Sequence, residues 1–321
     1  LSRGLGDVYK RQPIVALAGG YDVKEWFLEI GLPVRDNFNL EAGLRFADYS
    51  TGNDTDAFKL GGYYQVNDQV SLRATVQTAT RHGSITELYR GQGASLTDLD
   101  PDPCGTDPET GIGPLYTQAQ CANTGLPASL YGSDLKSPAD QYNILTGGNP
   151  DLVPEESEST TIGIVLTPDA VPGLTLTLDY FDIVVEDKIG TIPASTSLRQ
   201  CALTGSATFC NLLERDPIAG TLWVSPGRII TTNTNVAEES MTGFDLIFDY
   251  MLETGLGPID IKGITTFTET NELTVMPGET PIECAGFYGK SCGKNPMPEV
   301  AGNYTASLSR GNLDYVFGMR Y

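Results

Sequence analysis

The chain has one histidine, His82, and that scarcity excludes much. With His82 the only imidazole, no nucleophilic triad is plausible. No His cluster or Cys-x-x-Cys pair supports zinc, so no metal site is assigned. Basic residues are also scarce: 20 Lys and Arg face 41 Asp and Glu, a formal charge of −21. Nucleic-acid binding needs a basic footprint, so that partner class is excluded. No apolar run reaches the roughly 18 residues of a membrane helix. No phosphate loop or dinucleotide fingerprint is present, and no cofactor is called for. Carboxylates are plentiful enough for a glycosidase pair, but no fixed spacing singles one out, so the chain is not read as an enzyme.

What is present is period-two alternation, with 36 Gly and 15 Tyr in 321 residues. Trp26, Leu28, Ile30 and Leu32 alternate with Glu25, Glu29 and Gly31. Leu40, Ala42, Leu44 and Phe46 then alternate with Glu41, Gly43 and Arg45. The pattern repeats at Phe58–Val66, Val70–Val76, Ile162–Leu166, Leu174–Tyr180, Phe244–Tyr250, Ile259–Phe267 and Leu313–Tyr321. Strict alternation specifies strands with one apolar and one polar face. The connections run short, longer (Ser50 to Asp56), short, then very long. Membrane barrels connect strands this way, with short turns at one end and long loops at the other. A soluble sandwich also alternates, and alternation by itself does not separate the two.

The stretch from about Tyr89 to Glu156 is too long for an ordinary connection, and such loops are usually functional or disordered. Asp98, Asp100, Asp102 and Glu109 fall within it at calcium-loop spacing. Pro103 occupies the position where an EF-hand needs Gly, and no helical pattern flanks it, so a solvated acidic loop is the better reading. The six cysteines form three local pairs, one per long loop. That arrangement predicts disulfides Cys104–Cys121, Cys201–Cys210 and Cys284–Cys292, made in an oxidising compartment. Asp7-Val8-Tyr9-Lys10-Arg11-Gln12 reads as a translated sequencing adapter, so residues 1–12 are set aside as non-native.

Two motifs flank the first long loop. Arg81-His82-Gly83-Ser84-Ile85-Thr86-Glu87-Leu88 precedes it, and Gly148-Asn149-Pro150-Asp151-Leu152-Val153-Pro154-Glu155 closes it. Together they resemble the TonB-dependent receptors of the Gram-negative outer membrane. Those barrels carry an Arg-aromatic-Pro-x-x-x-Glu-Leu-like strand end and a Gly-Asn-Pro-x-Leu-x-Pro-Glu run. The second motif is complete but for Val153; the first has His82 and Gly83 where an aromatic or Ala and a Pro are usual. Asn233 followed by Gly243-Phe244-Asp245-Leu246 resembles a third family strand. Asp179 to Ile189 resembles a fourth, with an apolar phase that slips near Phe181, as at a bulge or a passage out of the membrane band.

The resemblance implies an all-β fold: an antiparallel transmembrane β-barrel fragment with long extracellular loops over residues 13–321. Roughly ten strands are legible, against about 22 in a full receptor. It implies energised uptake of a scarce siderophore, corrinoid or oligosaccharide across the cell outer membrane. The implied partners are outer-membrane lipid, a small-molecule ligand, and the TonB system acting through a plug domain this sequence does not contain. A passive porin-like channel and a soluble secreted β-sandwich or carbohydrate-active protein are the alternatives. Ligand contacts are expected from Tyr89 to Pro154 and Thr191 to Asn235. Arg90, Tyr116, Tyr131 and Tyr142 are the candidates, because Arg and Tyr give much contact energy at small entropic cost.

Overall fold

The structure, a computed structural model, describes residues 17–276, 280–289, 292 and 296–321, apart from the side chains of residues 236 and 237. The stretch set aside as adapter, residues 1–12, lies outside them. In chain order, β1 (Val23–Arg35), β2 (Phe38–Tyr49), β3 (Asp54–Asn67) and β4 (Val70–Arg81) form a meander. The first long loop holds α1 (Ile85–Tyr89), β5 (Gly93–Asp98), α2 (Gln118–Asn123) and β6 (Gln141–Thr146). Then come β7 (Glu155–Leu166) and β8 (Leu174–Gly190). The second loop holds α3 (Ala194–Thr204), α4 (Ala207–Cys210), β9 (Leu213–Glu214) and β10 (Arg228–Ile230). β11 (Thr234–Thr254) and β12 (Gly257–Thr274) follow. The third loop carries β13 (Ile282–Glu283) before β14 (Val300–Arg310) and β15 (Leu313–Arg320).

The chain divides into two compact units. One is the large antiparallel sheet, ordered β1-β2-β3-β4-β7-β8-β11-β12-β14-β15, with β13 paired to β12. The sheet is open, with β1 and β15 at its edges. No helix among the described residues is long and apolar enough to cross a membrane, which says nothing about crossing by strands.

Register keeps the alternating sequence on two distinct faces. Leu28 pairs with Leu44, which pairs with Phe58. Leu60 pairs with Val76, and Leu72 with Ile164, which pairs with Leu178. Because side chains alternate across a strand, this register joins the apolar residues into one continuous face. All but Ile164 are exposed, Leu28 at 56% and Leu60 at 57%. The opposite face is laced with ion pairs. Arg45 meets Glu25 at 2.5 Å, Lys59 meets Glu41 at 2.9 Å, and Arg73 holds Asp179 through two bonds of 2.8 and 2.5 Å. Arg81 grips Glu155, and Lys188 pairs with Glu239. Four of these pairs link neighbouring strands, and Arg73–Asp179 spans β7 at Gly163.

Two local expectations change. The connection over Ser50 to Asp56 is shorter than its polarity implies. β3 begins at Asp54, and Gly52, at φ +90°, closes a tight turn onto the Tyr49 carbonyl. Cross-strand pairing of Asp54 with Asp48 and Asp56 with Phe46 extends the sheet through the acidic run. The phase slip near Phe181 is not a bulge in β8, whose pairing with β7 runs unbroken from Leu176 to Glu186. The irregularity lies between β11 and β12, where Thr242 pairs with Thr270 but Gly243 with Thr268, leaving Glu269 of β12 as the extra residue. A Cβ on Gly243 would come within 2.7 Å of the Phe181 ring, so the glycine makes room for an aromatic on the polar face. Phe181 is 8% exposed there.

His82 caps the end of β4. Its ring stacks on Tyr49 with centroids 4.1 Å apart and planes 12° apart, and lies 4.6 Å from Tyr21. Thr51 Oγ1 lies 2.8 Å from His82 Nε2. An imidazole at this place thus does the packing of an aromatic ring.

Candidate functional site

The second compact unit is built from the first two long loops, residues 83–152 and 189–236. They are folded, not structureless. Its sheet runs β5-β6-β10-β9, and β6 and β10, from different loops, pair in parallel. Capping explains the short helices. Ser84 Oγ accepts from the Glu87 amide, and Glu87 Oε2 accepts from the Ser84 amide at 2.8 Å. Thr117 and Gln120 form the same reciprocal box on α2. α3 ends where Gly205, at φ +64°, donates its amide to the Cys201 carbonyl.

The disulfides staple this framework. Cys104 and Cys121 bond across 17 residues and Cys201 and Cys210 across 9. Cys284 and Cys292 bond across 8 in the third loop. The Cys104–Cys121 bridge is itself core, packed with Leu126 and Leu135 and flanked by Tyr116, Leu130 and Tyr131. The bridge adds apolar volume as well as constraint.

The motifs that carry the resemblance converge within this unit. The Glu87 carbonyl accepts the Asn149 amide at 2.9 Å and the Asn233 side-chain amide at 3.0 Å. Asn149 Nδ2 donates to the Asn233 carbonyl at 3.1 Å. Gly148 donates to the Arg90 carbonyl at 2.7 Å, and a Cβ on Gly148 would sit 2.7 Å from the Arg90 nitrogen. Only glycine permits that approach. Leu88, 1% exposed, fills the space beneath. These separated motif residues make one latch tying both loops together.

A buried ion pair ties them again. Arg215 and Asp102 side chains are 2% and 0% exposed, with Nη1 to Oδ2 at 2.6 Å and Nη2 to Oδ1 at 3.3 Å. Arg215 also donates to the Gly220 carbonyl at 2.8 Å and to Thr124. The Cys104 amide donates to Asp102 Oδ1. The carboxylate is therefore saturated, and Asp102 is no member of a calcium loop with Asp98, Asp100 and Glu109. Asn143 adds bonds of 2.9 Å to the Trp223 and Gly227 carbonyls across the loops.

The four candidate ligand contacts are not equivalent. Arg90 is exposed at the end of α1. Tyr116 and Tyr131 are half-buried, and the Tyr131 hydroxyl donates to the Tyr116 carbonyl at 2.8 Å. Tyr142 is 1% exposed, its hydroxyl accepting from the Ser137 amide, and burial pushes its phenol pKa up. It packs the loop core and cannot touch a ligand in this arrangement. Around the surface, Lys136 gathers Glu109 at 2.8 Å, Asp107 at 3.6 Å and Asp140 at 3.8 Å. Its hydrogen bond to Glu109 holds the ammonium above its usual range, so this cation is already occupied.

The third loop lies outside the two segments, Tyr89 to Pro154 and Thr191 to Asn235, from which the sequence leads one to expect ligand contacts. Its Cys pair was the available signal. β13 pairs with the top of β12, and Phe287 and Tyr288 stand exposed on the disulfide-closed turn that follows.

A family model described as "TonB dependent receptor-like, beta-barrel" matches residues 3–321. No curated protein sequence matches the chain. Among solved structures, the siderophore receptor PirA from Acinetobacter baumannii matches 94% of this chain and 34% of its own, at 17% identity and TM-score 0.52. A mutant ferric enterobactin receptor, PfeA from Pseudomonas aeruginosa, in complex with enterobactin, matches 94% of this chain and 32% of its own, at 14% identity and TM-score 0.55. At such identities these likenesses speak for the fold. The chain spans about a third of the length of these structures.

Proposed function

The chain belongs to the TonB-dependent receptor-like β-barrel family of the Gram-negative outer membrane, and on that premise we propose that it supplies the wall and outer loops of an energised uptake receptor. The family consists of transport receptors, not enzymes. The observation that carries the reading is the two-faced sheet: an exposed apolar face, and an opposite face of cross-strand ion pairs. A bilayer demands that pattern of a spanning sheet, because lipid offers backbone groups no hydrogen bonds and charged lumenal groups need partners or water. In this reading the apolar face meets outer-membrane lipid. A plug domain, which couples to the TonB system, occupies the polar side of the complete barrel.

The ligand is a scarce small molecule captured by the loops. Siderophore, corrinoid and oligosaccharide are the classes in play, and the likeness to the siderophore receptor PirA and to a ferric enterobactin receptor favours an iron chelate. Arg90 is the foremost contact of the first loop, because it is exposed; Tyr116 and Tyr131 offer ring edges. Tyr142 serves the core.

The test uses the intact receptor in cells lacking other uptake routes, with a radio-iron siderophore as probe. Uptake should saturate with concentration and stop when the inner-membrane proton gradient is collapsed. Uptake that rises linearly and ignores the uncoupler would instead make the barrel a passive pore.

A further inference from the structure

The sheet of the loop unit, β5-β6-β10-β9, has two unlike edges. β9 is only Leu213–Glu214, whereas β5 runs from Gly93 to Asp98. The Leu99 amide donates to the Asp140 carbonyl, continuing the β5–β6 register. Backbone groups of successive residues point to opposite sides of a strand. Gly93, Ser95 and Thr97 therefore bond to β6, while Ala94, Leu96 and Asp98 turn their backbone groups outward. The bonds of β6 agree. The Asn143 amide, opposite Leu96, donates to the Leu222 carbonyl, and the Leu145 carbonyl, opposite Ala94, accepts from the Thr231 amide. Among the described residues, nothing pairs with the outward amides and carbonyls of Ala94, Leu96 and Asp98.

Native sheets blunt a bare edge with Pro, Lys, a bulge or a very short strand. β9 is short, but β5 has none of these devices. Its sequence is Gly-Ala-Ser-Leu-Thr-Asp, and its register with β6 is unbroken from Gly93–Thr146 to Asp98–Gln141. β6 is itself paired with β10, and Tyr142, opposite Thr97, is buried in the loop core. The edge is thus a fixed template, and little ordering is needed for a strand to join it. Its exposed side chains are Ala94, Leu96 and Asp98, followed by Asp100. Asp98 and Asp100 have no ion-pair partner among the described residues. Residues 83–152 carry nine Asp and Glu against Arg90 and Lys136 alone, and Lys136 is held by three carboxylates.

We propose that β5 is a docking edge to which an extended, basic peptide segment adds as a further strand. The outward backbone groups of Ala94, Leu96 and Asp98 supply the ladder, which gives affinity. Directly opposite side chains give specificity: an apolar residue covers Leu96, and Lys or Arg answers Asp98 and Asp100. A second copy of this chain is the poorer occupant, because it brings one acidic loop against another. This docking edge is independent of the uptake reading.

The experiment measures equilibrium binding to purified intact receptor in detergent. The probe is the end-blocked peptide Thr-Lys-Thr-Lys-Thr-Val-Thr. It should bind and slow hydrogen exchange at the Ala94, Leu96 and Asp98 amides. Methylating its lysine and valine amide nitrogens, or replacing both lysines by glutamate, should each weaken binding about tenfold or more. Leu96→Pro removes an outward donor that β6 does not use, and should weaken binding as much. Asp98→Asn combined with Asp100→Asn should weaken binding and flatten its dependence on salt. If Leu96→Pro quickens exchange at Ile144, the sheet itself has loosened and the methylated peptide decides. The proposal is overturned if the probe does not bind, or if the methylated peptide binds as well as its parent, since the contact is then not strand pairing. Equal binding of the glutamate peptide would overturn the basic chemistry. Self-association of the receptor that Leu96→Pro abolishes would assign the edge to a second copy instead.

Discussion

The sheet and the loop unit treat their apolar residues in opposite ways. Along the sheet, Leu28, Phe46, Leu60 and Ile162 are each more than half exposed. In the loop unit, Leu126, Leu135, Leu222 and Ile229 lie between 0% and 4% exposed. The sheet needs an apolar solvent to satisfy one face, while the loops fold as a water-soluble domain does, around their own core. The charges are also divided. Ion pairs on the sheet are partly exposed and cross-strand, such as Lys59–Glu41 with side chains 47% and 64% exposed, whereas Arg215–Asp102 is sealed. Exposed pairs are worth little and sealed ones fail badly when halved. Each region should therefore break under a different kind of substitution.

The largest expected effect is in the loop core. Asp102→Ala leaves the Arg215 guanidinium buried without its counter-charge, a loss of about 3–5 kcal/mol. Limited proteolysis should open both long loops together, while the barrel keeps its heat-modifiable gel mobility. Cleavage confined to the first loop would show that the loops do not share one core. Next comes the sheet. Leu72→Arg should cost about 2–4 kcal/mol if it lies near mid-bilayer, read as lost outer-membrane assembly. Gln77→Arg, on the opposite face of the same strand, should assemble normally; equal damage at both positions would contradict the two-face assignment.

The latch should give a smaller change. Asn233→Ala removes a donor to the Glu87 carbonyl, about 1–2 kcal/mol of local stability. Hydrogen exchange should quicken at Asn149, whose amide meets the same carbonyl, and leave β2 and β3 untouched. The smallest effect concerns pH. Burial acts strongest on Glu283 and raises its pKa, yet the amides of Asn271, Ala285 and Cys284 together hold it below the usual carboxylate range. A lowered pKa adds stability at neutral pH that fades as pH falls through the lowered value. Amide protection at Ala285 should thus decline only in acid, and Glu283→Gln should remove that dependence.

Much of this was legible in the residues. Trp26 to Leu32 and Leu40 to Phe46 announce their strands, because the pleat fixes a period of two locally. The disulfides paired as sequence separation implied, because each pair lies within one loop. The acidic run at Asp54 and Asp56 misled, since cross-strand pairing with Asp48 and Phe46 outweighs turn composition. Phe181 misled too: its phase slip signals a ring packed over Gly243, which is 62 residues away in the chain.

The sequence by itself determined the alternating faces, the short and long connections and the local cysteine pairs. All of these follow from geometry between near neighbours. Only the tertiary structure decided that the first two loops form one body and that Tyr142 is core. It alone showed that Asp102 answers Arg215 and that Phe287 and Tyr288 stand free. Whether a loop side chain is buried depends on the segment that covers it. For Asp102 that segment comes from 113 residues away, for Glu87 from 146, and no local pattern encodes such a meeting.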